Sequence, residues 1–168
     1  MKLFLAILFL IGSPTWPLGD RALLGDPYII VNKKTNELAW IRDGKIAVQT
    51  RIATGRTDDL TPEGFFTIIV KAKNPYFRKE NIPGGDPRNP LGSRWIGFDA
   101  RGTDGRIYGL HGTNKPWSIG KYISNGCIRL PKKELETIYD EVPLGTKIFI
   151  TRSSKTLEQL GKELGVIK

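Results

Sequence analysis

The sequence predicts a mainly β fold, and three observations lead to that prediction. Nineteen glycines and eleven prolines in 168 residues are typical of a turn-rich chain rather than of a helical bundle. Residues 45–53 alternate apolar and polar side chains with a period of two, which indicates a half-buried antiparallel strand. Residues 65–72 form a continuous run of β-branched and aromatic side chains, which predicts a central strand buried on both faces.

The chain starts with a segment that is typical of export. Lys2 is followed by an apolar run over residues 3–12, which is shorter than the ~20 residues that a membrane-spanning helix needs. Residues 1–19 are therefore predicted to be a secretory signal peptide or a short N-terminal anchor, and residues 20–26 a linker. Contact with a membrane is expected only through this segment. The working domain is expected outside the cytoplasm, either secreted or associated with the cell wall.

The first half of the domain is predicted to consist of strands joined by turns. Residues 28–32 and 37–42 are predicted strands, and the dipeptide Asp43-Gly44 is a two-residue hairpin signal that leads into the alternating strand over 45–53. Residues 73–92 are rich in proline and glycine and are predicted to form a loop. A loop of this length inside a compact domain is often functional.

The second half of the domain brings the chain to its single histidine. Short strands are predicted over residues 95–99 and 106–110, and the second of them ends at His111. Residues 116–122 are predicted to form a short helix, because a proline is tolerated in the first helical turn.

A longer helix, a last strand and a tail follow. Residues 131–142 are the strongest helix prediction, since a proline starts them and apolar side chains recur at helical spacing. Residues 147–151 are a predicted strand, and residues 153–168 are a tail that is predicted to be helical. The apolar stripe of the longer helix consists of Leu135, Ile138, Tyr139 and Val142.

The charge balance restricts the classes of partner. The 26 Lys and Arg residues exceed the 17 Asp and Glu residues, which makes the net charge +9. The basic residues are spread along the chain without a long Lys/Arg block, so nucleic-acid binding is not expected. A spread basic surface suits contact with an anionic cell-wall polymer. One cysteine and one histidine cannot supply a four-ligand zinc site, and neither a metal nor a cofactor is expected.

The single cysteine and the single histidine lie close together in sequence. His111 and Cys127 are 16 positions apart, and each stands beside a glycine. A thiol becomes a strong nucleophile when an adjacent imidazole takes its proton, so the pair indicates a cysteine acyl-transfer site. The alternative is an inert, buried cysteine and a structural histidine, and composition alone favours neither interpretation.

The residues around Cys127 support the catalytic interpretation. In an extended segment, Cys127 and Arg129 point the same way, and the guanidinium is expected to lower the pKa of the thiol or to bind a substrate carboxylate. Gly126 permits a positive φ, and the N–H groups of Gly126 and Cys127 are candidates for an oxyanion site. The carbonyl of Gly112 is expected to hold the second imidazole nitrogen of His111.

Several neighbouring side chains have two interpretations. Ser124 either donates a hydrogen bond at the site or caps the turn, and the turn role is at least as well supported. A set of aromatic side chains either walls a substrate cleft or packs in the core. The aromatic set consists of Trp95, Tyr108, Trp117 and Tyr122.

The stretch that contains both reactive residues closely resembles the catalytic domain of the L,D-transpeptidases, the YkuD-like family. A His-Gly pair followed at this distance by Ser-x-Gly-Cys-Ile-Arg is a highly specific pattern. The resemblance extends upstream and covers residues 27–151. The matching segments are His111-Gly-Thr-Asn114, Ile119-Gly120, Ser124-Asn-Gly-Cys-Ile-Arg-Leu130, Ala53-Thr-Gly55, Thr61-Pro-Glu-Gly-Phe65 and residues 84–92.

The resemblance implies a fold, a substrate and a set of roles. The fold is mainly β, with β-sandwich-like mixed sheets and one or two short helices, over residues 27–152. The substrate is the peptidoglycan stem peptide: the cysteine attacks the carbonyl of the third stem residue, releases the terminal D-amino acid and passes the acyl group to an amine of a second stem. By position, Cys127 is the implied nucleophile and His111 the base, which Gly112 orients. The remaining implied site residues are Ser124, Gly126 and Arg129.

One position departs from the family pattern. Many members have a second histidine where this chain has Asn125. His111 can fill the base role alone, so Asn125 is expected to contact substrate on the acceptor side.

Two alternatives stay open. With water as the acceptor, the same chemistry makes an L,D-carboxypeptidase, and the sequence does not separate the two because pocket shape and water exclusion select the acceptor. A non-catalytic cell-wall-binding module would use the basic surface and the aromatic side chains. Such a module has no need for both His111 and Cys127.

Overall fold

The computed structural model describes residues 22–168, so the predicted signal segment over residues 1–19 lies outside the described residues. The strands are β1 (Tyr28–Asn32), β2 (Glu37–Arg42), β3 (Lys45–Arg51), β4 (Thr54–Gly55), β5 (Gly64–Lys73), β6 (Arg94–Phe98), β7 (Tyr108–His111), β8 (Tyr122–Ser124), β9 (Ile128–Arg129) and β10 (Lys147–Thr151), and the α-helices are α1 (Lys132–Glu141) and α2 (Leu157–Glu163).

Eight of these strands form one mixed sheet in the order β3-β2-β1-β10-β5-β6-β7-β9. The β1–β10 and β7–β9 neighbours are parallel, and the other neighbours are antiparallel. Ala53, just after β3, exchanges backbone hydrogen bonds of 2.9 and 3.0 Å with Arg129 in β9. The sheet therefore curls until its two edges meet, and the prediction of a mainly β fold of mixed sheets with two helices is confirmed.

The longer helix packs one face against the curled sheet. Leu135, Ile138 and Val142 of the predicted apolar stripe are buried in a core that strands from both halves of the sheet complete. Burying an aliphatic side chain of this size stabilises the fold by about 1.5–3 kcal/mol. The stripe thus fixes α1 against the sheet.

A second core lies on the opposite face of β1 and β2. The C-terminal helix α2 begins at a capping box formed by Thr156 and Gln159, and it packs Leu157 and Leu160 against these strands. Every residue of β1 is consequently buried. The predicted helical tail is therefore an integral part of the packing.

The prediction that the apolar run over residues 65–72 is buried on both faces is wrong. Ile68 is fully buried, but Phe65 is 64% exposed. The strand β5 pairs with β10 through its first half and with β6 through its second half, and Ile69 is bulged between them. Double burial falls on β1 and β2 instead, because α2 packs against those two strands.

Two turns decide where local elements begin and end. Asp43 and Gly44 have φ values of +54° and +71°, as a type I′ hairpin requires, and the predicted hairpin is confirmed. The predicted helix over residues 116–122 shrinks to a 3-10 turn over Pro116–Ser118. Gly120 has a φ of +86° and donates its N–H to the Ile52 carbonyl, which takes the chain off the helical path.

Within residues 22–168, no helix is long and apolar enough to cross a membrane.

Candidate active site

The site lies where β7 and β9 run side by side. His111 is the last residue of β7 and pairs with Arg129, while Cys127 directly precedes β9. The 16-residue separation is therefore the length of a crossover connection between two parallel strands.

His111 is held in one tautomer. Its side chain is 5% exposed, and its Nδ1–H donates a 2.6 Å hydrogen bond to the Gly112 carbonyl, so Nε2 carries the free lone pair. The Trp95 ring stacks on the imidazole with centroids 5.7 Å apart, and its Nε1–H donates to the Gly105 carbonyl at 2.8 Å. Burial lowers the pKa of His111 to about 4, so the imidazole is neutral at pH 7.

Cys127 is half-buried, and its thiol donates to the Ile107 carbonyl at 3.3 Å. Burial raises the pKa of the thiol to about 11 and outweighs the lowering by the Gly109 backbone and the Arg129 guanidinium. Arg129 lowers the pKa of the thiol, as expected, but by less than burial raises it. Loss of hydration destabilises the thiolate more than the neighbouring guanidinium stabilises it.

Ser124 caps the turn over residues 124–127, here named the nucleophile turn after the predicted nucleophile Cys127. Its buried hydroxyl donates to the Cys127 carbonyl at 2.6 Å and accepts from the Gly126 N–H at 3.0 Å. Gly126 has a φ of +127°, a conformation that glycine adopts without strain. Since Ser124 occupies the Gly126 N–H, that group is not free for an oxyanion, contrary to the expectation. No hydrogen bond among residues 22–168 uses the Cys127 N–H.

The end of the long loop supports the histidine from behind. A Cβ on Gly92 would lie 2.8 Å from the Gly112 Cα, and a Cβ on Gly112 would lie 3.1 Å from the Gly92 Cα. The two backbones can approach this closely only because both residues are glycines. The packing fixes the Gly112 carbonyl that holds His111.

Arg129 stands beside the reactive pair. It is half-buried, and its Nε is buried without a hydrogen-bond partner among the described residues. Its charge disfavours a positive imidazole and favours a thiolate, which places it close to both groups. An unpartnered guanidinium here is suited to bind a carboxylate.

A cavity of about 540 Å³ opens at Cys127. Its walls combine apolar side chains, Trp95 among them, with three cations, Arg78, Lys79 and Arg106. None of the described residues that line it is acidic. The cavity is therefore suited to a partly apolar ligand that carries negative charge.

The other predicted substrate contacts lie outside this cavity. Tyr108 packs against the main core, and Trp117 is exposed beneath Lys121. The Tyr122 hydroxyl donates to the backbone carbonyls that follow β1, which ties β8 to the main sheet. Asn125 is exposed within the nucleophile turn, and its contact with substrate stays a prediction.

One residue of the site has no role that its local sequence predicts. Thr61 belongs to a family-like segment, but it stands 65 positions before Gly126, and no local pattern connects them. In the fold, its hydroxyl donates to the Gly126 carbonyl at 2.9 Å. The cations of the cavity were missed for the same reason, since Arg78 and Lys79 lie in the long loop, Arg106 lies just before β7, and only the fold brings them together.

Comparisons with known proteins agree with this geometry. The model of the L,D-transpeptidase catalytic domain matches residues 26–150. The Bacillus subtilis (strain 168) protein YqjB, which is named as an L,D-transpeptidase, is 56% identical over 163 residues, which cover 97% of this chain and 93% of that protein.

Solved structures share the fold. The structure described as the Ldtfm–avibactam carbamoyl enzyme is 26% identical, with a TM-score of 0.61 over 76% of this chain and 49% of that one. This chain therefore spans about half the length of that protein. The Enterococcus faecium L,D-transpeptidase catalytic domain acylated by ertapenem has a TM-score of 0.58 at 24% identity, over 77% of this chain and 99% of that one. Given the match of the family model and the identity to YqjB, the chain belongs to the L,D-transpeptidase catalytic domain family.

Proposed function

We propose that this chain is a peptidoglycan L,D-transpeptidase, a cysteine acyltransferase that cross-links stem peptides of the bacterial cell wall. The observation that carries the proposal is the position of Cys127 in the cavity wall, beside the strand that ends at His111. Because Nδ1 of His111 is bonded to the Gly112 carbonyl, Nε2 is the nitrogen that accepts the thiol proton.

Acylation begins from a neutral pair. The Cys127 sulfur attacks the carbonyl carbon of the third stem residue, and the thiol proton moves to Nε2 of His111 as the C–S bond forms. The carbonyl oxygen becomes an oxyanion that accepts a hydrogen bond from the Cys127 N–H. The C–N bond to the terminal D-amino acid then breaks, and His111 returns the proton to the leaving amine.

Transfer reverses these steps with a different amine. The side-chain amine of a second stem attacks the thioester carbon and gives a proton to His111. The C–S bond breaks, the sulfur recovers the proton, and an amide joins the two stems. With water in place of the amine, the product is a shortened stem, which is the carboxypeptidase alternative.

The charge of the cavity supports a stem peptide as the donor. Stem peptides carry carboxylates, and Arg78, Lys79 and Arg106 supply an attractive field at the cavity wall. The half-buried Arg129 guanidinium adds a positive charge beside Cys127. The apolar wall around Trp95 packs against the aliphatic part of the diamino acid.

The chemistry also supports the predicted organisation of the chain. A peptidoglycan substrate places the domain over residues 27–152 outside the cytoplasm, and residues 1–19 are assigned as its export signal or anchor. The net charge of +9 favours contact with an anionic wall polymer.

Intact mass after incubation with a carbapenem tests the proposal. The relatives solved with avibactam and with ertapenem are covalently modified proteins, and the same chemistry is expected here. Wild type should gain the mass of one carbapenem, and Cys127→Ala should gain none. A folded wild-type chain without an adduct would refute the assignment.

A second experiment separates the transpeptidase from the carboxypeptidase, and a cysteine variant tests the binding module. A donor stem peptide is incubated with and without an amine acceptor, and the products are identified by mass. A cross-linked dimer supports the transpeptidase, and a shortened stem alone supports the carboxypeptidase. Full function of Cys127→Ala in cells would favour a non-catalytic wall-binding module.

A further inference from the structure

We propose that Thr61 is a positioning residue of this site: its buried hydroxyl orients the peptide unit that carries the Cys127 N–H toward the oxyanion. The inference rests on the proposed acyl-transfer function. It concerns a residue on a distant loop that does not itself touch the reacting atoms.

The Thr61 hydroxyl bridges two backbone segments. It donates to the Gly126 carbonyl at 2.9 Å and accepts from the Gly55 N–H at 2.9 Å. The residue is 1% exposed, so neither bond competes with water. Both the donor and the acceptor capacity of the hydroxyl are thus directed at the backbone.

The geometry of the peptide bond converts this contact into control of a distant N–H. The Gly126 carbonyl and the Cys127 N–H belong to one planar unit, and in a trans peptide they point in opposite directions. Holding the oxygen therefore sets the direction of the N–H. Glycine allows wide rotation on the preceding side, so this unit needs an external restraint.

Ser124 does not supply that restraint. Its hydroxyl bonds the Gly126 N–H and the Cys127 carbonyl, which belong to the peptide units before and after the one in question. Thr61 bonds the unit between them. The two hydroxyls together hold three successive peptide units of the nucleophile turn.

Thr61 is itself firmly held. The buried Lys33 ammonium donates to the Thr61 carbonyl at 2.8 Å and to the Asp58 carbonyl at 2.6 Å, and it lies 3.1 Å from the Glu63 carboxylate. These contacts fold residues 57–63 around one cation. The loop therefore presents the hydroxyl from a rigid base.

The test compares two reactions of the same sulfur. In carbapenem acylation, the sulfur attacks a carbonyl carbon and an oxyanion develops. Iodoacetamide alkylation forms a C–S bond at a saturated carbon, releases iodide and a proton, and develops no oxyanion. A residue that orients the oxyanion donor is expected to affect acylation only.

The variants are Thr61→Val, which removes the hydroxyl, and Thr61→Ser, which keeps it. Acylation of Thr61→Val should slow by about 10²-fold, because losing one oxyanion donor typically costs 10²–10³-fold. Its alkylation rate at the same pH should stay within about 2-fold of wild type, on the expectation that no oxyanion donor acts in that reaction. Thr61→Ser should restore acylation. Thr61→Ala replaces the valine variant if the extra methyl group prevents folding.

A matched control is Thr54→Val. Thr54 is also buried, and its hydroxyl donates to the Asn36 side chain at 2.7 Å and not to the backbone of the nucleophile turn. Thr54→Val should leave both rates unchanged while losing a comparable buried hydrogen bond. It separates a loss of stability from a loss of orientation.

The outcomes are distinct. If Thr61→Val slows both reactions equally, or slows neither, the positioning role is overturned. A wild-type chain that is alkylated but never acylated would refute the proposed function, and the inference with it. Slowed acylation with unchanged alkylation, rescued by serine, would support the role.

Discussion

The thiol of Cys127 and the imidazole of His111 are both neutral at pH 7, because burial moves the two pKa values apart, to about 11 and about 4. A standing thiolate–imidazolium pair would need hydration or further charge that this site does not supply. In the proposed mechanism, the thiol proton therefore moves to His111 only when a carbonyl approaches the sulfur. A neutral thiol is also less easily oxidised than a thiolate.

The buried histidine makes stability depend on pH. In the unfolded chain the pKa of His111 is near its ordinary value of 6.5, whereas in the folded chain it is about 4. Between these values the unfolded state holds more protons, so stability falls as pH falls. The loss approaches about 3 kcal/mol at pH 4.

Urea unfolding of wild type and His111→Asn at pH 7 and pH 4.5 measures this effect. Other titrating groups are shared and cancel in the comparison. We expect wild type to lose about 2–3 kcal/mol more than the variant between the two pH values. Equal losses would show that His111 is not held neutral.

The cations of the cavity should act on substrate capture rather than on chemistry. Arg106→Gln is expected to raise KM for a carboxylate-bearing donor stem by about 2- to 5-fold, since an exposed ion pair contributes less than about 1 kcal/mol. The effect should fade in high salt. Arg152→Gln is the control, because Arg152 is a half-exposed cation that pairs with Asp58. A change confined to kcat would contradict this role.

Among the elements, the nucleophile turn shows how local sequence and tertiary contact combine. The glycine at residue 126 permits a positive φ beside Cys127, and the structure has φ +127° there. The contact that makes glycine indispensable comes from elsewhere in the chain. A Cβ on Gly126 would lie 2.5 Å from the Leu60 carbonyl oxygen.

Alanine substitution separates backbone strain from collision. Gly126→Ala should displace the turn and lower carbapenem acylation by at least about 10²-fold, the cost of one lost oxyanion donor. Gly165→Ala is the control, since Gly165 has φ +73° and no atom within 4 Å of a built Cβ. We expect it to cost about 1 kcal/mol of stability and leave acylation intact. Equal acylation rates in the two variants would refute the collision argument.

Strand β5 marks the limit of prediction at the element scale. Its apolar pattern indicates a strand correctly, and the structure places it in the middle of the sheet. The pattern does not reveal which strands α2 covers, because that depends on a helix more than 80 residues later. Phe65 is therefore exposed where burial was expected.

At the scale of the molecule, the curled sheet has two cores on opposite faces, and each core packs a different helix. The main core holds α1 and the strands that carry the site, and the second core holds α2 against β1 and β2. The second core is remote from Cys127. It should contribute to stability without affecting acylation.

Leu160→Ala tests this separation. Removing a buried leucine side chain is expected to lower the free energy of unfolding by about 2–4 kcal/mol. Glu158→Ala, on the exposed side of the same helix, should change it by less than about 0.5 kcal/mol. At temperatures below their unfolding midpoints, both variants should be acylated by a carbapenem at the wild-type rate. Slower acylation in the folded Leu160→Ala variant would show that the two cores are coupled.

The sequence by itself determined the strands, α1 and the hairpin, because period-two alternation, helical spacing and an Asp-Gly turn are local signals. It also predicted a candidate reactive pair, because the chain has one histidine and one cysteine in a specific motif. Only the tertiary structure decided the protonation of that pair and the contact between the Thr61 hydroxyl and the Gly126 carbonyl. Desolvation and the hydrogen bonds between distant segments arise when the sheet curls, and no spacing along the chain encodes them.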